Sequence, residues 1–200
     1  MKTFKNILLV LNPRETSDSE VIRALTFASD NNAEITLAAV VDAAPNTPRL
    51  VDMIVDKQEQ LAPLAQIVEA VDVKVDIRVF VGRAFSEIIL DVINNHRDLV
   101  IKPVEPRKAG YKLFAGTDFK LLRKCPCPLL LVQDKAHHRF KSIVAAIDVD
   151  ANNPENEPLS GEILSLSNYI AARDASNYHV IHAWQLEHED FLRSPRTGLS

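Results

Sequence analysis

Short unbroken apolar runs alternate with segments of helical spacing along most of this chain, and that alternation restricts its fold more than any other feature. Ile7 to Leu11 is the kind of run that parallel strands buried on both faces show. Asn12-Pro13 ends it, Ser17 or Asp18 can cap the next segment, and Val21, Ala24, Leu25 and Ala28 then recur at helical spacing. Ile35 to Val41 predicts a second strand. Over residues 46–71, Leu50, Met53, Ile54, Leu61, Leu64 and Val68 predict a helix that Pro63 kinks or splits. Val73 to Val81 alternates with a period of two, Gly82 closes it, and Phe85, Ile88, Ile89, Val92 and Ile93 define an amphipathic helix. Strands over Leu99 to Lys102 and Pro128 to Val132 bring the number to five. Strands joined by helical crossovers imply a parallel sheet, so the expected class is an α/β three-layer sandwich.

Composition excludes several functions. No apolar run approaches the roughly 20 residues of a membrane span, and the amino terminus has no secretory h-region, which together predict a cytoplasmic protein without a transmembrane segment. A net charge of −4 argues against general affinity for nucleic acid. The charge is uneven, however: Lys102, Arg107, Lys108, Lys112, Lys120, Arg123 and Lys124 oppose only Glu105 and Asp118, so this window is strongly basic within an acidic chain. Either it is a solvated face or it attracts an anionic ligand. The two cysteines, Cys125 and Cys127, stand two apart, each followed by a proline, and are expected to point to opposite faces as buried structural thiols. Neither a disulfide nor a metal site is expected of them, because zinc ligands come as C-x2-C with a second pair.

Lys141 to Asp148 then repeats the pattern of Lys5 to Asn12, and a helical stretch near Pro158 to Arg173 and a strand near His179 to Trp184 complete the repeat. The expected organisation is a first domain over 1–133, a polar linker over 134–140 containing His137-His138, and a partial second copy over 141–200. Some sixty residues cannot build the five-stranded unit of the first 133, so the second copy is expected to be truncated or degenerate.

One stretch carries a resemblance. Arg97 to Pro106, then Gly116-Thr117-Asp118, then Leu122-Arg123-Lys124-Cys125-Pro126 and the run to Val132, resembles the end of a universal stress protein domain. In that family the text runs roughly V-x-G-x-x-G, nine residues, G-[ST], a helix and an apolar strand. The resemblance is closest to a tandem, two-domain branch and implies a strand order of 3-2-1-4-5. It also implies a nucleotide site: an acid ending the first strand near a ribose, a residue after the second strand at an adenine, and a glycine loop around phosphates. The matching positions are Asn12, Val40, Pro103, Pro106, Gly116 and Thr117, with Asp148 as the corresponding acid of the second copy and His182-Ala183 matching its second-strand pattern.

These positions depart from the family's chemistry. Asn12 lacks a carboxylate's charge, and Pro103 and Pro106 remove two backbone donors and fix φ. With glycine only at 82, 110, 116, 161 and 198, a Walker loop and a dinucleotide fingerprint are excluded. Gly116-Thr117 remains as an anion-binding helix start, unless Thr117 or Asp118 only caps it. The histidines are scattered without a metal pattern, and no catalytic residues are expected.

The resemblance implies a non-enzymatic stress-adaptation protein, a scaffold or partner-binding module with a degraded nucleotide loop and no cofactor. The alternative is a sensor of ATP or another anionic ligand, acting through the second domain. The Pro128 to Val132 strand is expected at a sheet edge, self-associating or pairing with a second domain of the same kind, and Leu130→Pro is expected to break that pairing.

Overall fold

The computed structural model describes residues 4–12, 18–104, 116–133, 139–148 and 156–183. Two compact units are present, one spanning Thr3–His138 and the other including Arg139–Ser200.

The larger unit contains β1 (Asn6–Val10), α1 (Asp18–Asn31), β2 (Glu34–Val41), α2 (Leu50–Glu69), β3 (Val75–Val81), α3 (Ala84–Asn94), β4 (Leu99–Pro103), α4 (Thr117–Lys124) and β5 (Leu129–Val132). All neighbouring strands are parallel, in the order β3-β2-β1-β4-β5. The central position of β1 explains its composition, since Ile7, Leu8 and Leu9 have no exposure at all. One side of the sheet holds a cluster of Leu8, Val10, Ala38, Val100, Ile88, Val92 and Leu121, to which α3 and α4 contribute. Phe4 and Phe27, from the chain before β1 and from α1, meet edge to face at 5.9 Å and 84°. Phe27→Ala is expected to cost about 3–5 kcal/mol in equilibrium denaturation, and a loss below 1 kcal/mol would show that this contact contributes little.

Two helices differ from expectation. α2 runs unbroken through Pro63. Both Pro63 and Glu59, whose carbonyl the proline leaves without a helical donor, are exposed, so solvent is available to that carbonyl and no split is required. In α3 the buried residues are Ile88, Asp91 and Val92, while Ile93, expected on the inner face, is 54% exposed.

Glycine is scarce, and the helix ends show the consequence. Asn32, His96 and Ala175 take positive φ values of 49°, 51° and 54°. In each case the next amide reaches back five residues, Ala33 to Ala28, Arg97 to Val92 and Ser176 to Ala171, which is the Schellman arrangement that glycine usually closes. His96→Gly is expected to raise stability by about 0.5–1 kcal/mol, the relief of left-handed strain less the added entropy of the unfolded chain. An unchanged or lower denaturation midpoint would contradict it.

The smaller unit contains β6 (Ser142–Ile147), α5 (Asn156–Asp174) and β7 (Asn177–His182), with β6 and β7 parallel and Ser142 opposite Asn177. This is a strand, a crossover helix and a parallel strand, the same order as β1, α1 and β2. The anticipated strand end at Trp184 lies outside the described residues, as does the centre of the linker with His137-His138.

Candidate functional site

In an open parallel sheet, ligands bind beyond the carboxyl ends of the strands where the strand order reverses. Here that point lies between β1 and β4. Asn12 lies just past the end of β1, Val40 stands near the end of β2, and β4 ends at Pro103. The amide of Leu11 donates to Ala38 O at 2.8 Å, which holds the exit of β1 against β2 close to Val40. The fold therefore supplies the expected location. Its polar groups are already engaged.

Asn12 is exposed, and its Oδ1 accepts from Lys57 Nζ of α2 at 3.2 Å. Val40 is half-buried and packs against the cluster around Leu8 and Val10. Pro103 offers no amide, and the next one, Val104 N–H, donates to Val132 O at 2.8 Å and so belongs to the sheet. Gly116 precedes α4 with extended backbone, φ −81° and ψ 173°, and no side-chain cap bond is made there. Thr117 is the first helical residue. Asp118, in the same turn, is 2.8 Å from Lys102 Nζ, with both side chains largely buried at 15% and 12% exposure. The Lys102 ammonium at the end of β4 is thus held by a carboxylate at the start of α4, where an incoming anion would compete with it. Neither Thr117 nor Asp118 fills the expected cap.

Lys120 is exposed, and the Arg123 guanidinium lies 5.7 Å from the Phe119 ring centroid. Pro106, Arg107, Lys108 and Lys112 lie outside the described residues. Asp148 belongs to the other unit. Its Oδ2 accepts from Asn156 Nδ2 at 2.7 Å, its carbonyl accepts from Ser160 Oγ at 2.8 Å, and Nδ1 of His182 is 3.2 Å from the carbonyl of the preceding Ile147.

The cysteines correct an expectation. Cys125 Sγ and Cys127 Sγ are 3.7 Å apart, both half-buried, and neither is in a disulfide. Side chains two residues apart in extended backbone share a face, so the proposed divergence had the strand period the wrong way round. The hydrogen bond from Cys127 pulls the Cys125 thiol down to about 7 against the opposing effect of burial.

Sequence reasoning missed a charged group at the opposite edge of the sheet. Asp91 accepts from Arg97 Nε at 2.8 Å, from Arg78 Nη1 at 3.1 Å and from Asn95 Nδ2 at 2.8 Å. Arg97 Nη1 also donates to Thr36 Oγ1 at 2.8 Å and to Asn6 Oδ1. Hydrogen bonding to Asp76, supported by the charges of Asp91 and Asp76, holds the Arg78 guanidinium above its usual range. Asn6, Thr36, Lys74, Asp76, Arg78 and Arg97 line part of a cavity of about 420 Å³ there. The available signal was Asp91 itself, a carboxylate three residues beyond Ile88 on the face of α3 that otherwise buries Ile88 and Val92. Among the described residues, no three of His, Cys, Asp and Glu converge as a metal site, and no helix is long and apolar enough to cross a membrane.

Comparison with known proteins agrees with this architecture. Universal stress protein E of Photorhabdus laumondii is 24% identical over 199 residues, an alignment covering 92% of this chain and 63% of that relative. A functionally unknown protein of Pseudomonas aeruginosa PAO1, known from its crystal structure, superposes with a TM-score of 0.73 at 24% identity, covering 90% of this chain and 61% of the other. A universal stress protein solved in complex with cAMP superposes with a TM-score of 0.51 at 18% identity, covering 68% of this chain and 99% of the other. The chain thus spans less than two thirds of the length of its curated relative. Residues 3–133, which include the whole five-stranded sheet, match the universal stress protein family, and the chain belongs to that family.

Proposed function

We propose that this chain is a cytoplasmic stress-adaptation protein whose larger unit serves as a non-enzymatic scaffold or partner-binding module. The observation that carries this reading is the engaged crevice at the end of β4. Lys102 is paired with Asp118, Val104 N–H is spent on Val132, and Pro103 has no donor to offer a phosphate. Asn12, already bonded to Lys57, has no charge with which to hold a ribose hydroxyl strongly. The expected result of calorimetry with ATP or cAMP on the 200-residue chain is no binding in the low micromolar range. A dissociation constant in that range, with one nucleotide per chain, would overturn the reading.

The second reading is a sensor of ATP or another anionic ligand, and Asp148 favours it by keeping a carboxylate at the end of β6. That reading is supported if a fluorescent ATP analogue binds the chain and Asp148→Asn abolishes the signal, whereas binding that survives the substitution counts against it. The partner surface we assign is β5, the edge strand of the sheet, either to a second copy or to another domain of the same kind.

A further inference from the structure

We propose that Cys125 and Cys127 form a hydroperoxide-reactive dithiol that closes on itself as an intramolecular disulfide. The inference is independent of the nucleotide and scaffold readings and rests on a different place in the fold. Cys125 directly succeeds the last residue of α4 and Cys127 precedes β5 by two residues. Each is followed by a proline, whose fixed φ limits the conformations between α4 and β5 and keeps the two thiols close. The amide of Cys125 donates to Leu121 O at 2.8 Å, and both residues rest against the apolar cluster that contains fully buried Leu121. The sulfurs are 3.7 Å apart, with one residue between them, and both cysteines are only partly buried. Cys127 supplies a hydrogen bond that stabilises a Cys125 thiolate and so raises its share above that of a free thiol.

The chemistry is set by that polarity. The Cys125 thiolate attacks the distal oxygen of a hydroperoxide, the O–O bond breaks, and the alkoxide leaves and takes a proton to become an alcohol. Cys125 is then a sulfenic acid. Cys127, having lost its proton, attacks the Cys125 sulfur, the S–O bond breaks, and the hydroxide leaves as water once protonated. Two thiols are oxidised by two electrons and one peroxide is reduced. A thiol reductant reverses the step by exchange. The sulfurs approach by rotation at Cys127, which lies in a bend before β5 and outside the ladder.

The test treats the 200-residue chain with a small excess of tert-butyl hydroperoxide and tracks the tryptic fragment that begins at Cys125. The expected product is about 2 Da lighter, monomeric and resistant to alkylation until a reductant is added. It should form roughly tenfold faster than in the same chain unfolded in guanidinium, in proportion to thiolate fraction. Cys127→Ser should leave Cys125 gaining oxygen and trappable by dimedone, whereas Cys125→Ser should slow thiol loss by roughly tenfold. Oxidation at the unfolded-chain rate, a disulfide-linked dimer as the main product, or equal rates in the two variants would overturn the proposal. The first two outcomes need only the parent chain, so the proposal stays open to refutation even if a variant fails to fold.

Discussion

Asp91→Ala is expected to destabilise the larger unit by about 3–5 kcal/mol, lowering its melting temperature by about 10 °C or more. The pair it breaks is deeply placed, with Arg97 3% and Asp91 5% exposed at the side chain. Removing the carboxylate leaves a buried guanidinium without a counter-charge, since Thr36 and Asn6 are neutral acceptors. Asp76→Ala provides the contrast. That carboxylate is 61% exposed and pairs with Arg78 on the surface, so its loss should cost less than about 1 kcal/mol. The double substitution Asp91→Leu with Arg97→Met should recover much of the loss, because a buried ion pair of this kind is costly to break and cheap to replace. Denaturant titration of the three variants beside the parent decides the matter. If Asp91→Ala unfolds within 1 kcal/mol of the parent, the network is not what joins α3 to the amino-terminal edge of the sheet.

The legibility of this fold depends on the range of the forces involved. β1 could be recognised because a strand buried on both faces shows an unbroken apolar run, and Gly82 could be placed at the end of β3, where its φ is +137°. The strand order came from the family resemblance, since crossovers alone allow several orders. The partners across space were not disclosed by the residues. Asp91 drew no reading from the sequence, and in the fold Arg97, Arg78 and Asn95 converge on it. Lys102 looked like a free cation in a basic window, yet it is buried against Asp118. Of the residues expected in the nucleotide crevice, Asn12 and Val40 flank one end of the sheet, but what occupies Asn12 is Lys57, forty-five positions away. Periodicity reports which face of an element turns inward. It does not report what stands opposite.

Proline substitution along β5 should separate two roles that the sequence could not distinguish. The amide of Val100 donates to Pro128 O and that of Val104 to Val132 O. In a parallel ladder the residues of one strand alternate in direction, so Pro128, Leu130 and Val132 turn toward β4, while Leu129 and Leu131 turn their amides away from it. Leu130→Pro, the substitution anticipated to break association, therefore removes a bond within the sheet instead. It should cost the unit about 2–4 kcal/mol, from the lost ladder bond and the carbonyl left unsatisfied on β4. Leu131→Pro takes away an outward donor and should leave the unit's stability within about 1 kcal/mol of the parent. If β5 is the association surface, Leu131→Pro shifts the chain to monomer in light scattering while its unfolding midpoint hardly moves. An assembly that survives Leu131→Pro excludes β5 ladder pairing, and a parent chain already monomeric at high concentration excludes self-association and leaves β5 for a second domain.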